Sequence, residues 1–302
     1  MKCSIAQHSR AGARLYNQDR VGYWSTHAAL LMVVADGMGG HQNGEMAAQL
    51  AIDFLAELFK RDAKPKLADP DMFLFRGVGR VHLLLQQQAR KLGLPETPRT
   101  VIVACVVQDG YAYWMHIGDS RLYLVRKGRV LARTRDHTRV QQMVDLGRIR
   151  EDAVATHPER NKVLQCLGSD RPPRIEPASS ARLVKGDIVL LCSDGLWAPL
   201  TERQLLRGLS GKDLEPAIGE LVSLAESRAG RECDNVSVVA MSWDEGELAP
   251  ADEPRTLPFH ELPTDVQDLA AIDPDFLKMT DADIERAISE IRSALRKYSG
   301  QR

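Results

Sequence analysis

The chain has 302 residues, 44% hydrophobic and 27% charged, with a net charge of −1, a composition that excludes both a disordered and a membrane-embedded protein. The near-neutral total hides an asymmetry, since residues 244–302 hold 14 acidic and 7 basic side chains and leave a mildly basic body. That excess suits an anionic substrate but is too diffuse for nucleic-acid binding.

The first residues contain no apolar leader-like stretch, and the longest apolar run, residues 28–35, is far below the roughly 18 residues of a membrane span. A cytoplasmic location is therefore expected. Cys3, Cys105, Cys166, Cys192 and Cys233 are scattered and odd in number, which speaks against a disulfide framework or a C-x-x-C metal pair.

In chain order, residues 28–36 (AALLMVVAD) form an apolar run ending in Asp, the pattern of a buried strand that delivers a carboxylate. Residues 44–60 and 72–92 repeat apolar side chains at helical spacing. Strands are predicted at 101–108, 111–117, 121–126 and 129–133, with Asp109-Gly110 and Lys127-Gly128 as hairpin turns. A helix over 138–146 follows, then a second strand run ending in Asp at 186–194, helices at 201–209 and 214–229, and a strand at 236–242. Hairpin-clustered strands with inserted helix pairs imply an α+β layered architecture rather than a parallel sheet. Residues 244–263, rich in Glu, Asp and Pro, read as a solvated linker. This places a catalytic domain at 1–243 and an acidic linker and C-terminal helix at 244–302. In that tail Thr280 and Asp283 mark a helix start, and Ile284, Ala287, Ile288, Ile291, Ala294, Leu295 and Tyr298 form an apolar stripe. Such a stripe needs a surface, so self-docking, self-association or partner docking through this helix is expected.

Five short segments place an acidic residue in a Gly- or Asn-containing context: Asn17-Gln18-Asp19, residues 36–41 (DGMGGH), Gly118-Asp119-Ser120-Arg121, Ser193-Asp194-Gly195 and Asp234-Asn235. One Asp-Gly alone is usually a turn. Together they offer oxygen-only ligands, which select Mg²⁺ or Mn²⁺ over zinc. No cysteine has an arginine at the C-x5-R spacing of a cysteine phosphatase, and residues 208–213 (GLSGKD) lack the spacing of a phosphate-binding P-loop, reading instead as an interhelical turn.

The ordered set R-x-x-N-Q-D (14–19), D-G-M-G-G-H (36–41), G-D-S-R (118–121), R-D-H-T (135–138), S-D-G-L-W (193–197) and D-N-V-S (234–237) resembles the type-2C metal-dependent protein Ser/Thr phosphatases, bacterial branch, over residues 1–243. The resemblance implies a four-layer α-β-β-α sandwich with two central antiparallel sheets. It implies hydrolysis of phosphoserine and phosphothreonine in proteins by a metal-activated water, with phosphoprotein substrates of a Ser/Thr kinase. The alternative is a catalytically weak signalling protein that keeps the fold and binds a partner. Asp36 resembles the carboxylate shared by two core Mn²⁺ or Mg²⁺ ions, with the Gly37 carbonyl, Asp194 and Asp234 completing their shells. Asp119 resembles the ligand of a third, weaker ion. Arg14 matches the phosphate-binding arginine, and Gln18, Asp19 and Asn235 match residues that orient the ligands. Ser193 and Ser120 read as turn caps, and His137 as the fixture of the helix that follows it. Residues 148–167 take the position of the family's mobile flap. Gln18 stands where many members have Glu, and Met38 where the eukaryotic branch has a histidine proposed as general acid. His41 reads as a loop histidine.

Overall fold

The computed structural model describes residues 1–39, 43–176, 178–211 and 213–245, and the backbone of 255–256. Strands β1 (Cys3–Arg10), β2 (Arg20–Ser25) and β3 (Ala29–Met38) precede helices α1 (Asn43–Asp62) and α2 (Pro70–Leu92). Four strands then run as hairpins, β4 (Arg99–Gln108), β5 (Tyr111–Ile117), β6 (Arg121–Arg126) and β7 (Arg129–Arg133), followed by α3 (Arg139–Asp145) and a 3-10 turn at Glu151–Thr156. Strands β8 (Ser179–Arg182) and β9 (Ile188–Cys192) lead into α4 (Asp194–Trp197), α5 (Glu202–Leu209) and α6 (Leu214–Ala229), and β10 (Val236–Trp243) and β11 (Arg255–Thr256) close the described chain.

Two antiparallel sheets result, one ordered β1-β10-β9-β6-β7 and the other β11-β8-β5-β4-β3-β2. Their strands are apolar on both faces because each sheet is covered on both sides, and the two faces alternate along the strand. In β3, Leu31, Val33 and Ala35 pack under α1 and α2, while Leu30, Met32 and Val34 face the other sheet. In β10, Val238 and Ala240 pack under the α5–α6 layer, while Val239, Met241 and Trp243 meet the opposite sheet. Three cores separate four layers, and the expected α-β-β-α sandwich is present.

Both predicted hairpin turns have two consecutive left-handed residues, Asp109 (φ 53°) with Gly110 (φ 77°) and Lys127 (φ 50°) with Gly128 (φ 72°). That backbone matches the twist of the flanking strands. The helices fall within a few residues of their expected bounds. β1, β2 and β8 carry no clear apolar signal, for β1 and β2 are sheet edges, and Ala6 is the buried apolar side chain of β1. The stretch read as linker includes β11, which pairs with β8 through Arg255 opposite Ser180. The predicted tail helix lies outside the described residues.

Candidate active site

The sandwich brings the acidic segments together at one rim. Asp36 sits near the end of β3, opposite Val101 of β4. Asp119 lies in the connection where β5 of one sheet hands over to β6 of the other. Asp234 stands two residues before β10, and Asp194 follows β9 by two residues. Asp194 is the first residue of α4, with Ser193 as the preceding extended residue, so the carboxylate is carried by a helical turn rather than by the strand end that the sequence suggested.

Close backbone approach explains two of the glycines. A Cβ on Gly37 would lie 2.1 Å from the Gly44 carbonyl oxygen, and one on Gly195 would lie 2.0 Å from the Asn235 carbonyl oxygen. Real side-chain carbons do not fit at such distances, so the residue after Asp36 and the residue after Asp194 must both be glycine. The first contact seats β3 against the start of α1, and the second seats α4 against the segment bearing Asp234.

Hydrogen bonds clasp the remaining segments. The Asn235 side-chain amide donates to the carbonyls of Ala11 (2.9 Å) and Tyr16 (3.0 Å) and accepts from the Gln18 N–H (2.8 Å). Gln18 also donates to the Gly39 carbonyl at 3.2 Å. Asp19 is buried and accepts from the Ser193 hydroxyl at 2.7 Å, while that hydroxyl accepts from the Ser237 N–H at 3.0 Å. Ser193 makes no capping bond. The expectation of a turn cap is thus corrected: its hydroxyl holds Asp19. Ser120 is buried and makes no side-chain bond among the described residues.

Three motifs are joined by one arginine. Arg121 donates to both oxygens of Asp136 (2.8 and 2.7 Å), and its guanidinium lies 3.4 Å from the ring centroid of Trp197. The Trp197 indole N–H in turn donates to the Asp119 carbonyl at 2.9 Å. His137 does not start the following helix, which Thr138 caps by accepting from the Gln141 N–H. Instead the His137 ring accepts at Nδ1 from the Gly118 N–H at 3.1 Å, and the His137 backbone N–H donates to the Gly118 carbonyl at 2.8 Å. Burial and the stacked His116 ring push the His137 pKa down to about 3. It remains a neutral brace of the turn that carries Asp119. In the sequence Arg121, Asp136 and Trp197 are motif residues without an assigned role, and His137 alone carries one.

The electrostatics of the rim are one-sided. Burial raises the Asp36 carboxyl well above the usual range, and Asp19, Asp194, Asp119 and Asp234 reinforce it. Asp194 is likewise raised, by burial and then by Asp119 and Asp234. Asp19 and Asp119 are each pushed up to about 6, chiefly by burial. Arg14 Nη2 donates to Asp234 Oδ2 at 2.8 Å, an exposed pair with side-chain accessibilities of 60% and 41%, worth about 0–1 kcal/mol and readily exchanged. Among the described residues, no three His, Cys, Asp or Glu side chains close on one point as a ready-made cage. Cations that keep several waters do not require one. An all-oxygen donor set with an uncompensated charge excess fits hard divalent cations.

A cleft of about 710 Å³ opens beside this rim, bounded by Arg14, Asp194 and Asp234. A second cavity of about 420 Å³ includes Asp119, Asp136 and Asp194. Arg160 and Asn161, from the segment expected to form the flap, border both. The C-terminal part of that segment is pinned, the Lys162 carbonyl accepting from the Arg139 N–H (2.9 Å) and the Leu167 N–H donating to the Thr100 carbonyl (2.9 Å).

The fold is shared with solved bacterial phosphatases. The crystal structure of the Mycobacterium tuberculosis serine/threonine phosphatase PstP/Ppp superposes with a TM-score of 0.71 at 32% identity, covering 80% of this chain and 99% of that one. The PstP catalytic domain in complex with two manganese ions superposes with a TM-score of 0.69 at 31% identity, covering 80% and 99%. The chain belongs to the protein phosphatase 2C family, whose sequence profile matches residues 6–232. Among curated relatives, the M. tuberculosis serine/threonine protein phosphatase PstP is 33% identical over 252 residues, which is 81% of this chain and 46% of that protein. The chain thus spans about half the length of that relative. Protein phosphatase PhpP of Streptococcus pneumoniae is 29% identical over 239 residues, 77% of this chain and 94% of that protein. Among the described residues, no helix is long and apolar enough to cross a membrane.

Proposed function

We propose that the chain hydrolyses phosphoserine and phosphothreonine in proteins, dependent on divalent cations, and opposes a Ser/Thr kinase. The observation that carries this reading is the rim of four raised carboxylates beside one exchangeable arginine. Asp36, the Gly37 carbonyl, Asp194 and Asp234 would hold two Mn²⁺ or Mg²⁺ ions, and Asp119 with Asp194 a third, weaker one. Bound cations supply Lewis acidity, activation of water and neutralisation of phosphoryl charge. Arg14 supplies a planar fork for two phosphoryl oxygens, which it reaches by giving up its exposed pair with Asp234. Ser193 keeps Asp19 turned into the rim, and Asn235 and Gln18 hold the Arg14 loop against Asp234. A cytoplasmic location of this chain and a catalytic domain at residues 1–243 are part of the same proposal.

The test is turnover of phosphoserine and phosphothreonine peptides, and of a small aryl phosphate, with Mn²⁺ or Mg²⁺ and after verified metal removal. Turnover is expected with metal and absent without it. Undiminished hydrolysis in chelator overturns the mechanism, and peptide binding without any turnover favours the partner-binding alternative.

A further inference from the structure

We propose that the cleft running from Arg14 to the end of α6 is a subsite for a second anionic group of the substrate, a phosphorylated or acidic side chain flanking the phosphoresidue. This rests on the phosphatase reading above. The lining of the 710 Å³ cleft joins Asp194 and Asp234 of the acidic rim to an arginine wall of Arg160, Arg228 and Arg231. Glu232 lines the same cleft. All three arginines are exposed, and none forms an ion pair among the described residues.

A plainer account makes Arg228, in the last turn of α6, a counter-charge to the helix terminus. Its contact points elsewhere. Arg228 Nε donates at 2.9 Å to the Pro199 carbonyl in the connection between α4 and α5, outside its own helix and also lining the cleft. The two terminal nitrogens are left for a ligand, and a guanidinium so anchored presents the paired donors that phosphate and carboxylate accept.

The spacing from this wall to Arg14 is fixed by the backbone. Ala13 N–H donates to the Cys233 carbonyl at 3.0 Å, and Asn235 holds the Ala11 carbonyl at 2.9 Å. Arg14 and Arg231 therefore belong to one clasped unit, so the second anion is read at a set number of residues from the first. A monoanionic small ester reaches the rim without meeting this wall.

The experiment compares phosphothreonine peptides bearing a second phosphothreonine, Glu, Ala or Lys at each of three positions on either side. It measures kcat/KM with Mn²⁺ and, by fluorescence anisotropy, binding to the Asp36→Asn chain. In one register the second phosphate is expected to favour the peptide on the order of tenfold over Ala. Glu matching phosphate identifies any acidic flank as the ligand; Glu matching Ala identifies a phosphorylated residue. The double variant Arg228→Glu/Arg231→Glu should shift the preference toward Lys, and Arg228→Gln/Arg231→Gln should abolish it. Absence of a preferred register, or a preference that survives in both folded variants, overturns the subsite. If no peptide is turned over, the phosphatase reading falls, while the binding series still decides the subsite.

Discussion

Two groups of wholly or partly buried carboxylates in this fold are treated in opposite ways. Asp187 is wholly buried and fully satisfied, with two bonds from Arg126 (2.9 and 2.7 Å) and one from the Val184 N–H (2.9 Å). Asp136 receives the same two-pronged contact from Arg121. Asp36 and Asp194 are half-buried at the rim, yet their nearest electrostatic neighbours are mostly further aspartates, and both are raised. Burial of the same side chain marks structure where a guanidinium answers it, and a cation site where only like charges do.

The sharpest way to break this contrast is Asp36→Asn. With Mn²⁺ present, turnover should fall by about 10⁴-fold, some ~5.4 kcal/mol. The metal-free protein should melt a few degrees higher, because one unanswered charge is gone. A lower melting point in chelator would mean that Asp36 stabilises the fold. Asp187→Asn should do the reverse: it strands the Arg126 guanidinium and costs about 3–5 kcal/mol in urea unfolding, with Mn²⁺ affinity measured calorimetrically left alone.

The smallest effect is on pH dependence. Asp19 and Asp119 titrate at about 6 in the folded chain against an ordinary 3.8, so between those values the native state holds more protons than the unfolded one. Stability of the metal-free protein therefore falls as pH rises through that window. By scanning fluorimetry, the chelated protein should melt higher at pH 5 than at pH 7.5. Saturating Mn²⁺, which binds the ionised groups, should reverse that order. Equal melting points at both pH values in chelator would place these carboxyls in water.

The legible parts of the fold were those buried on both faces. The β3 and β9 runs and the α1 and α2 stripes announce themselves by apolar content, whereas β1, at an edge with a mostly half-exposed pattern, has no periodicity to read. At the site, short motifs exposed the acidic residues but not their mutual support. Nothing in the string S-D-G-L-W says that Ser193 grips Asp19, 174 residues away, or that Trp197 lies against Arg121. Nor does it say that Arg14 pairs with Asp234. The Ser193–Asp19 contact joins the two sheets and the other two join segments beside neighbouring strands of one sheet, so all three depend on long-range strand order.

The clasp at Asn235 also bears on how the protein is made. β1 has β10 as its hydrogen-bonded neighbour in the sheet, Cys3 opposite Trp243 and Arg10 opposite Val236. A nascent chain emerging from the ribosome holds Arg14, Asp36 and Asp119 long before Asp234 and its strand exist. Until residues 233–243 are released, β1 has no partner edge, Ala11 and Tyr16 lack the amide that ties them down, and the carboxylate rim is one member short. Closing so long a loop is slow compared with forming the local hairpins. The complete carboxylate rim therefore arrives late, as a certificate that translation has passed β10.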